Sequence, residues 1–195
     1  MPIVKVPAAC NAGCMSGKCR GFNLIELCIA LAVAAVVIGL AASGFERISG
    51  QWLVNRSTQA LLNALQSARS QATLRAEAVA LCQVNAMGDC APGMPPAMGN
   101  AGWQIFVDAT PTTPPHRDTG DLLLNAETLP ARLRIFSSRT GVTYWPVARA
   151  GTTATFLLCD SHLAAAPRTV IVSQTGRARV SGSMADGSPP DCGHG

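Results

Sequence analysis

Two arginines near the end of the chain, Arg177 and Arg179, stand two residues apart in Gly176-Arg-Ala-Arg-Val180. On a strand that spacing puts both guanidinium groups on one face and Ala178 and Val180 on the other. Permanently charged planar forks so arranged suit bidentate contacts to phosphate, which makes a nucleic-acid backbone a plausible partner. The plain alternative is a solvated strand face whose charges serve solubility. Arg168 opens the segment expected to pair with this one. After residue 130 seven arginines are set against three acids, an excess of +4 confined to this part of the chain.

Cysteines are the second group with chemistry to offer. Cys82, Cys90, Cys159 and Cys192 lie in the polar part of the chain. They allow three pairings, and spacing alone does not choose among them. The favoured set is Cys82–Cys90, closing a short loop around Gly88-Asp89, with Cys159–Cys192, tying an irregular tail to a strand. Four reduced buried thiols are the alternative. Cys10, Cys14 and Cys19 lack a fourth ligand at metal-site spacing, and Cys28 sits in an apolar run where a thiol fills space. Asp108, Asp118 and Asp121 flank a loop that holds Pro111, Pro114 and Pro115, without the bidentate Glu of a calcium loop. His116, His162 and His194 are scattered. No catalytic constellation, metal site, cofactor site or small-molecule substrate is expected.

The element that must position all this is a helix. From Phe22 to Ala42 the chain runs apolar with Glu26 as its single charge. At about 1.5 Å per residue such a helix spans about 32 Å, enough for a bilayer core of about 30 Å. A carboxylate near the start of that span calls for a partner. Beyond Phe45 the pattern becomes amphipathic: Leu53, Ser57, Leu61 and Leu65 recur at four-residue spacing, flanked by Ala60, Ala64, Ala68 and Ala72, with Arg47, Arg56, Arg69 and Arg75 on other faces. One helix from about Phe22 to Arg75 is expected. Apolar runs at 78–84, 103–108, 122–124, 132–136, 143–145 and 153–159 then read as strands. A hairpin pairs 169–173 with 177–180 across Gln174-Thr175-Gly176. The fold class expected is α+β, with a largely antiparallel sheet on the long helix. An anchor that leaves this domain outside the cytoplasm would place its four cysteines where disulfides persist.

The junction Gly21-Phe22-Asn-Leu-Ile-Glu26-Leu resembles the processing site of type IV pilin-like proteins; the family's Phe-Thr-Leu-Ile-Glu-Leu differs only at Asn23. The resemblance implies that a prepilin peptidase cuts after Gly21 and that Phe22 becomes an N-methylated terminus. It further implies that Glu26, then the fifth residue, neutralises the terminal ammonium of a neighbouring subunit during assembly. Removal of 1–21 takes away Lys5, Lys18 and Arg20, three of the 15 basic residues, leaving 12 against 11 acids. Lys18 and Arg20 fall on the side the positive-inside rule keeps cytoplasmic. A start at Met15 would give a shorter leader.

Two later segments extend the resemblance. Trp103-Gln-Ile-Phe-Val-Asp108 with Leu122-Leu-Leu, and Phe156-Leu-Leu-Cys-Asp160, Arg168-Thr-Val-Ile-Val-Ser173 and Thr175-Gly-Arg-Ala-Arg-Val180, look like the GspH/FimT family. Its members divide into minor pilins of type IV pili and H-type pseudopilins of type II secretion. The Pro-rich loop between Asp108 and Asp121 is not typical of it. In some of the minor pilins a Gly-Arg-x-Arg motif binds DNA during uptake, and Gly176, Arg177 and Arg179 match it. The implied organisation is a leader over 1–21, a transmembrane and filament-core helix over 22–44, its amphipathic continuation over 45–77, and a β-rich periplasmic domain over 78–195. Expected partners are other pilins or pseudopilins, the prepilin peptidase, the inner membrane before assembly, and DNA.

Overall fold

The computed structural model describes residues 23–85, 88–90, 102–146 and 152–193, the side chains of residues 40–43 excepted. Its first element, α1, runs from Leu24 to Arg75. Asn23 precedes it, and its carbonyl accepts from the amides of Glu26 at 2.9 Å and Leu27 at 3.2 Å. Asn is among the residues that best occupy this position, and an acid in the first turn complements the helix dipole. The chain divides into two compact units at Ala42/Ser43.

In the first unit the described side chains of α1 are exposed all round, with Leu24, Ile25, Leu27, Ile29, Leu31, Val33, Val36, Val37 and Ile38 each more than half accessible. This stretch of the helix is long and apolar enough to cross a membrane, with a mean hydropathy of 2.7 over its best 18 residues.

In the second unit α1 carries a buried stripe of Val54, Ser57, Thr58, Leu61, Ala64, Leu65, Ala68 and Ala72. The stripe is set one residue off the expected one at its start: Val54 is buried, while Leu53 and Ala60 are half-buried. Alanine at 64, 68 and 72 lets strands approach the helix closely. Eight strands follow: β1 (Val79–Val84), β2 (Gly102–Val107), β3 (Leu122–Thr128), β4 (Leu133–Ser137), β5 (Gly141–Tyr144), β6 (Ala154–Asp160), β7 (Arg168–Val172) and β8 (Ala178–Ser181). They form two four-stranded sheets, β3-β2-β1-β5 and β4-β6-β7-β8, and every pairing is antiparallel. The α+β class holds, with two sheets where one was expected.

Both sheets share one core with the helix. Val79, Leu81, Trp103, Ile105, Val107, Val142 and Tyr144 come from the first sheet. Leu133, Ile135, Ala154, Phe156, Leu158, Val170 and Val172 come from the second, and all pack with Leu61, Leu65 and Ala68. The reason β1, β2 and β6 are buried on both faces lies outside this core. Ala80, Cys82, Val84 and Phe106 form a small cluster on the far side of β1 and β2, packed against Cys90. The far side of β6 lies under the C-terminal tail.

That tail is held by Cys159–Cys192, and the loop after β1 by Cys82–Cys90. Gln104, buried on β2, donates to both sulfurs of the second bridge and accepts from Arg117 at 3.0 Å. Between tail and sheet runs a groove of about 410 Å³ lined by Phe136, Leu157, Met184 and Cys192 among others.

The Pro-rich loop is organised by its own acids. Asp121 accepts from the amides of Ala109 and Asp118, and Asp118 accepts from the Thr110 hydroxyl. Asp108 is buried, and burial, then the charge of Asp121, pushes its carboxyl above the usual range. Among the described residues no three His, Cys, Asp or Glu side chains are placed to hold a metal ion.

Candidate functional site

The last hairpin begins with β7, whose Thr169–Val172 are fully buried. β8 returns beside it in the register Val172↔Ala178, Ile171↔Arg179, Val170↔Val180 and Thr169↔Ser181. Ala178 and Val180 pack against the shared core, so strand alternation turns Arg179 outward. The five residues between the strands close tightly: the Ser173 amide donates to Arg177 O at 2.9 Å and the Gly176 amide to Ser173 O at 2.8 Å. The Ser173 hydroxyl lies 2.9 Å from that of Thr175 and accepts from the Arg177 amide.

Gly176 is required in this turn for two reasons. Its φ is +74°, a left-handed conformation that side chains other than glycine adopt at a cost. It is also buried against Tyr144: a Cβ there would lie 3.1 and 3.3 Å from two ring carbons and 4.0 Å from Nε of Arg69. Tyr144 is itself 3% exposed, its hydroxyl has no hydrogen-bond partner among the described residues, and burial holds its ionisation well above the ordinary phenol range despite the nearby Arg69 charge.

Arg177 and Arg179 are both exposed, and neither forms an ion pair among the described residues, where the pair found is Arg132–Asp160. The surface can therefore do what unpaired guanidinium groups do, which is bind anions through charge-assisted, two-pronged hydrogen bonds.

Arg168 does not join them. It opens β7 opposite Leu158 of β6, at the end of the hairpin away from the turn. In register it alternates with Ile171, the residue opposite Arg179, and so belongs to the other face. It is half-buried, and its Nε donates to Asn55 of α1 at 3.4 Å. Arg69, which the hairpin motif could not signal from 107 positions away, lies beside the turn instead. Among the other residues singled out in the sequence, Glu26 is exposed in the first turn of α1, and His116 and His162 are exposed in loops. Gly21, Phe22, the leader cysteines and His194 lie outside the described residues.

Residues 57–176 match the family model for the type II transport protein GspH, a span of more than half the chain. The match ends at Gly176, just before the arginine pair. The fold is similar to that of the type IV minor pilin FimU of Pseudomonas aeruginosa in two crystal forms. Both are 18% identical, with TM-scores of 0.46 and 0.45, covering 66% and 65% of this chain and 87% and 91% of theirs. None of the curated proteins compared matches. A long helix with an apolar first part, an antiparallel domain built on its second part, and a family match that runs from the helix through β7 place the chain in the GspH family of pilin-like proteins, the structural subunits that include minor pilins and pseudopilins.

Proposed function

We propose that this protein is a minor pilin of a type IV pilus whose last hairpin contacts DNA through Arg177 and Arg179. The observation that carries the proposal is the pair itself: two exposed arginines without ion-pair partners among the described residues, beside a turn that Gly176 fixes against Tyr144. A second reading, an H-type pseudopilin of type II secretion in which the same hairpin contacts neighbouring subunits, is favoured by the description of the matching family model.

The decisive measurement is fluorescence anisotropy of a labelled duplex with the full chain in nonionic detergent micelles. Replacing Arg177 and Arg179 by Gln should weaken binding at least tenfold at about 0.1 M salt and flatten the slope of log affinity against log salt by about 1.8, two phosphates' worth. Binding unchanged by the double substitution would leave the pseudopilin reading in its place.

In this reading the leader over 1–21 is removed after Gly21 by a prepilin peptidase and Phe22 is methylated. Residues 22–44 hold the subunit in the inner membrane until assembly, residues 45–77 continue the helix, and 78–195 form the periplasmic domain. Glu26 meets the terminal ammonium of the adjacent subunit, where a carboxylate in an apolar surround needs a counter-charge. Glu26→Ala should then be processed normally, seen as the mature mass, yet be missing from sheared filaments. Normal incorporation would remove the charge-pairing role.

A further inference from the structure

We infer that Arg69 of the helix is a third DNA-phosphate contact, joined to Arg177 and Arg179 at the hairpin turn; this rests on the DNA-binding reading above. Arg69 is exposed and its side chain makes no ion pair among the described residues. Its geometry puts it at the turn. Its Nε lies 4.0 Å from the position a Cβ on Gly176 would take, and its charge is felt by the Tyr144 phenol on which Gly176 rests. Gly176 is the residue immediately before Arg177, so the helix brings Arg69 to the turn from the core side of the sheet, while Arg179 faces outward from β8; a duplex lying across the turn end reaches both.

The geometry also explains why the helix can supply a charge here. Ala68 and Ala72 are buried against the sheets, which fixes the phase of this helical turn and leaves Arg69 at the margin of the packed stripe. A duplex presents one phosphate charge per about 1.7 Å of its axis. A patch of three guanidinium groups from two elements can follow such a row where a lone two-residue motif gives little purchase. Tyr144 and Gly176 then act as the spacer that sets the helix-borne charge against the hairpin-borne ones.

The test is the salt dependence of duplex binding by the full chain in nonionic detergent micelles, with Arg69→Gln, Arg69→Lys and the Arg177→Gln/Arg179→Gln pair measured in parallel. Circular dichroism and thermal melts confirm that each variant is folded. With three phosphates neutralised the wild-type slope is about −2.7, and Arg69→Gln should bring it to about −1.8 while Arg69→Lys leaves it near the wild-type value. A wild-type slope in folded Arg69→Gln, with the slope reduced in the hairpin pair, overturns the role of Arg69 and leaves the DNA reading intact. An unchanged slope in the hairpin pair defeats the DNA reading of the hairpin, and the shared site with it. A flattened slope in Arg69→Lys as well as in Arg69→Gln would mean that Arg69 acts by packing on Tyr144, and overturns the phosphate contact.

Discussion

Replacing Cys159 and Cys192 together by serine is expected to destabilise the second unit by about 3–4 kcal/mol, read as a shift of the urea midpoint at unchanged slope. The bridge joins residues 33 apart in sequence, and the chain-entropy treatment of a loop that long gives a stabilisation of about 3.7 kcal/mol. For a protein of this size that is a fall in Tm of about 10 °C. The corresponding change at Cys82 and Cys90, separated by 8, should cost about 2.5 kcal/mol on the same treatment.

For the longer bridge the entropic figure is an upper bound, because the tail has little else to hold it and is free to leave the folded unit once the bridge is gone. The Thr169 hydroxyl donates to Ser183 O at 2.7 Å, but the turn at Met184–Ser188 and the Asp186–Ser188 contacts are internal to the tail. Once freed, it would uncover the outer face of β6, where Leu157 is 5% exposed, and open the groove beside Phe136. Binding of an apolar dye by the folded Cys159/Cys192 variant, and not by the Cys82/Cys90 variant, is the accompanying observation. Equal midpoints for wild type and the Cys159/Cys192 variant would show that the tail contributes nothing to the unit's stability.

The long helix and most strand positions were legible in the sequence because burial leaves a local imprint. A continuous apolar run such as 154–159 is visible wherever both faces are covered. Where the imprint is missing, the reading fell short. β3 continues to Thr128 through Asn125-Ala-Glu-Thr, residues exposed on both faces and held only by backbone pairing to β2. Division into two sheets was not visible either, because it depends on partners far apart: β1 pairs with β5 and β4 skips to β6. No local pattern encodes such pairings.

The hairpin illustrates both sides of this limit. Alternation along β8 was enough to set Arg179 apart from Ala178 and Val180. The place of Arg168 was not, since it depends on the five-residue connection that puts Ile171, and not Val170, opposite Arg179. Arg69 needed the fold itself. Its approach to Gly176 exists only because the end of α1 and the β7–β8 turn both pack on Tyr144's neighbourhood in the first sheet.

The same dependence on distant packing produces the second large effect, at Arg132. This residue precedes β4, and its Nε and Nη2 donate to the two Asp160 oxygens at 2.6 and 2.8 Å. Nη2 also reaches Glu46 O at 3.1 Å and Nη1 the Ser49 hydroxyl at 3.4 Å. Gly50 makes the approach possible: a Cβ there would lie 2.6 Å from Asp160 Oδ2 and 2.8 Å from Arg132 Nη2. The Asp160 side chain has no exposure, whereas Arg132 keeps 23%. The hydrogen bond from Arg132 holds the Asp160 carboxyl below the usual carboxylate range against the opposing effect of burial.

Arg132→Leu should therefore lower stability at neutral pH far more than Arg134→Leu, an exposed neighbour on β4, where a surface change is worth within about 0.5 kcal/mol. It should also reverse the acid response of this site. In the wild type the folded carboxyl titrates below the unfolded one, so its contribution is complete above about pH 4 and is lost as pH falls through the lower, folded value. Without Arg132 burial is the largest remaining influence, opposed by the amides of His162 and Ala164; the expectation is that burial prevails, the folded carboxyl titrates above the unfolded one, and proton uptake favours the folded state. Relative to wild type, the variant should regain stability as pH falls from 7 toward 4. Asp108, with its carboxyl raised in both proteins, adds the same slope to each and cancels in the comparison. Adding Asp160→Asn to Arg132→Leu should recover part of the loss at pH 7 and abolish the difference in slope. Parallel pH profiles for wild type and Arg132→Leu would show that Asp160 is solvated in the folded chain and that the pair does not tie β4 and β6 to the helix.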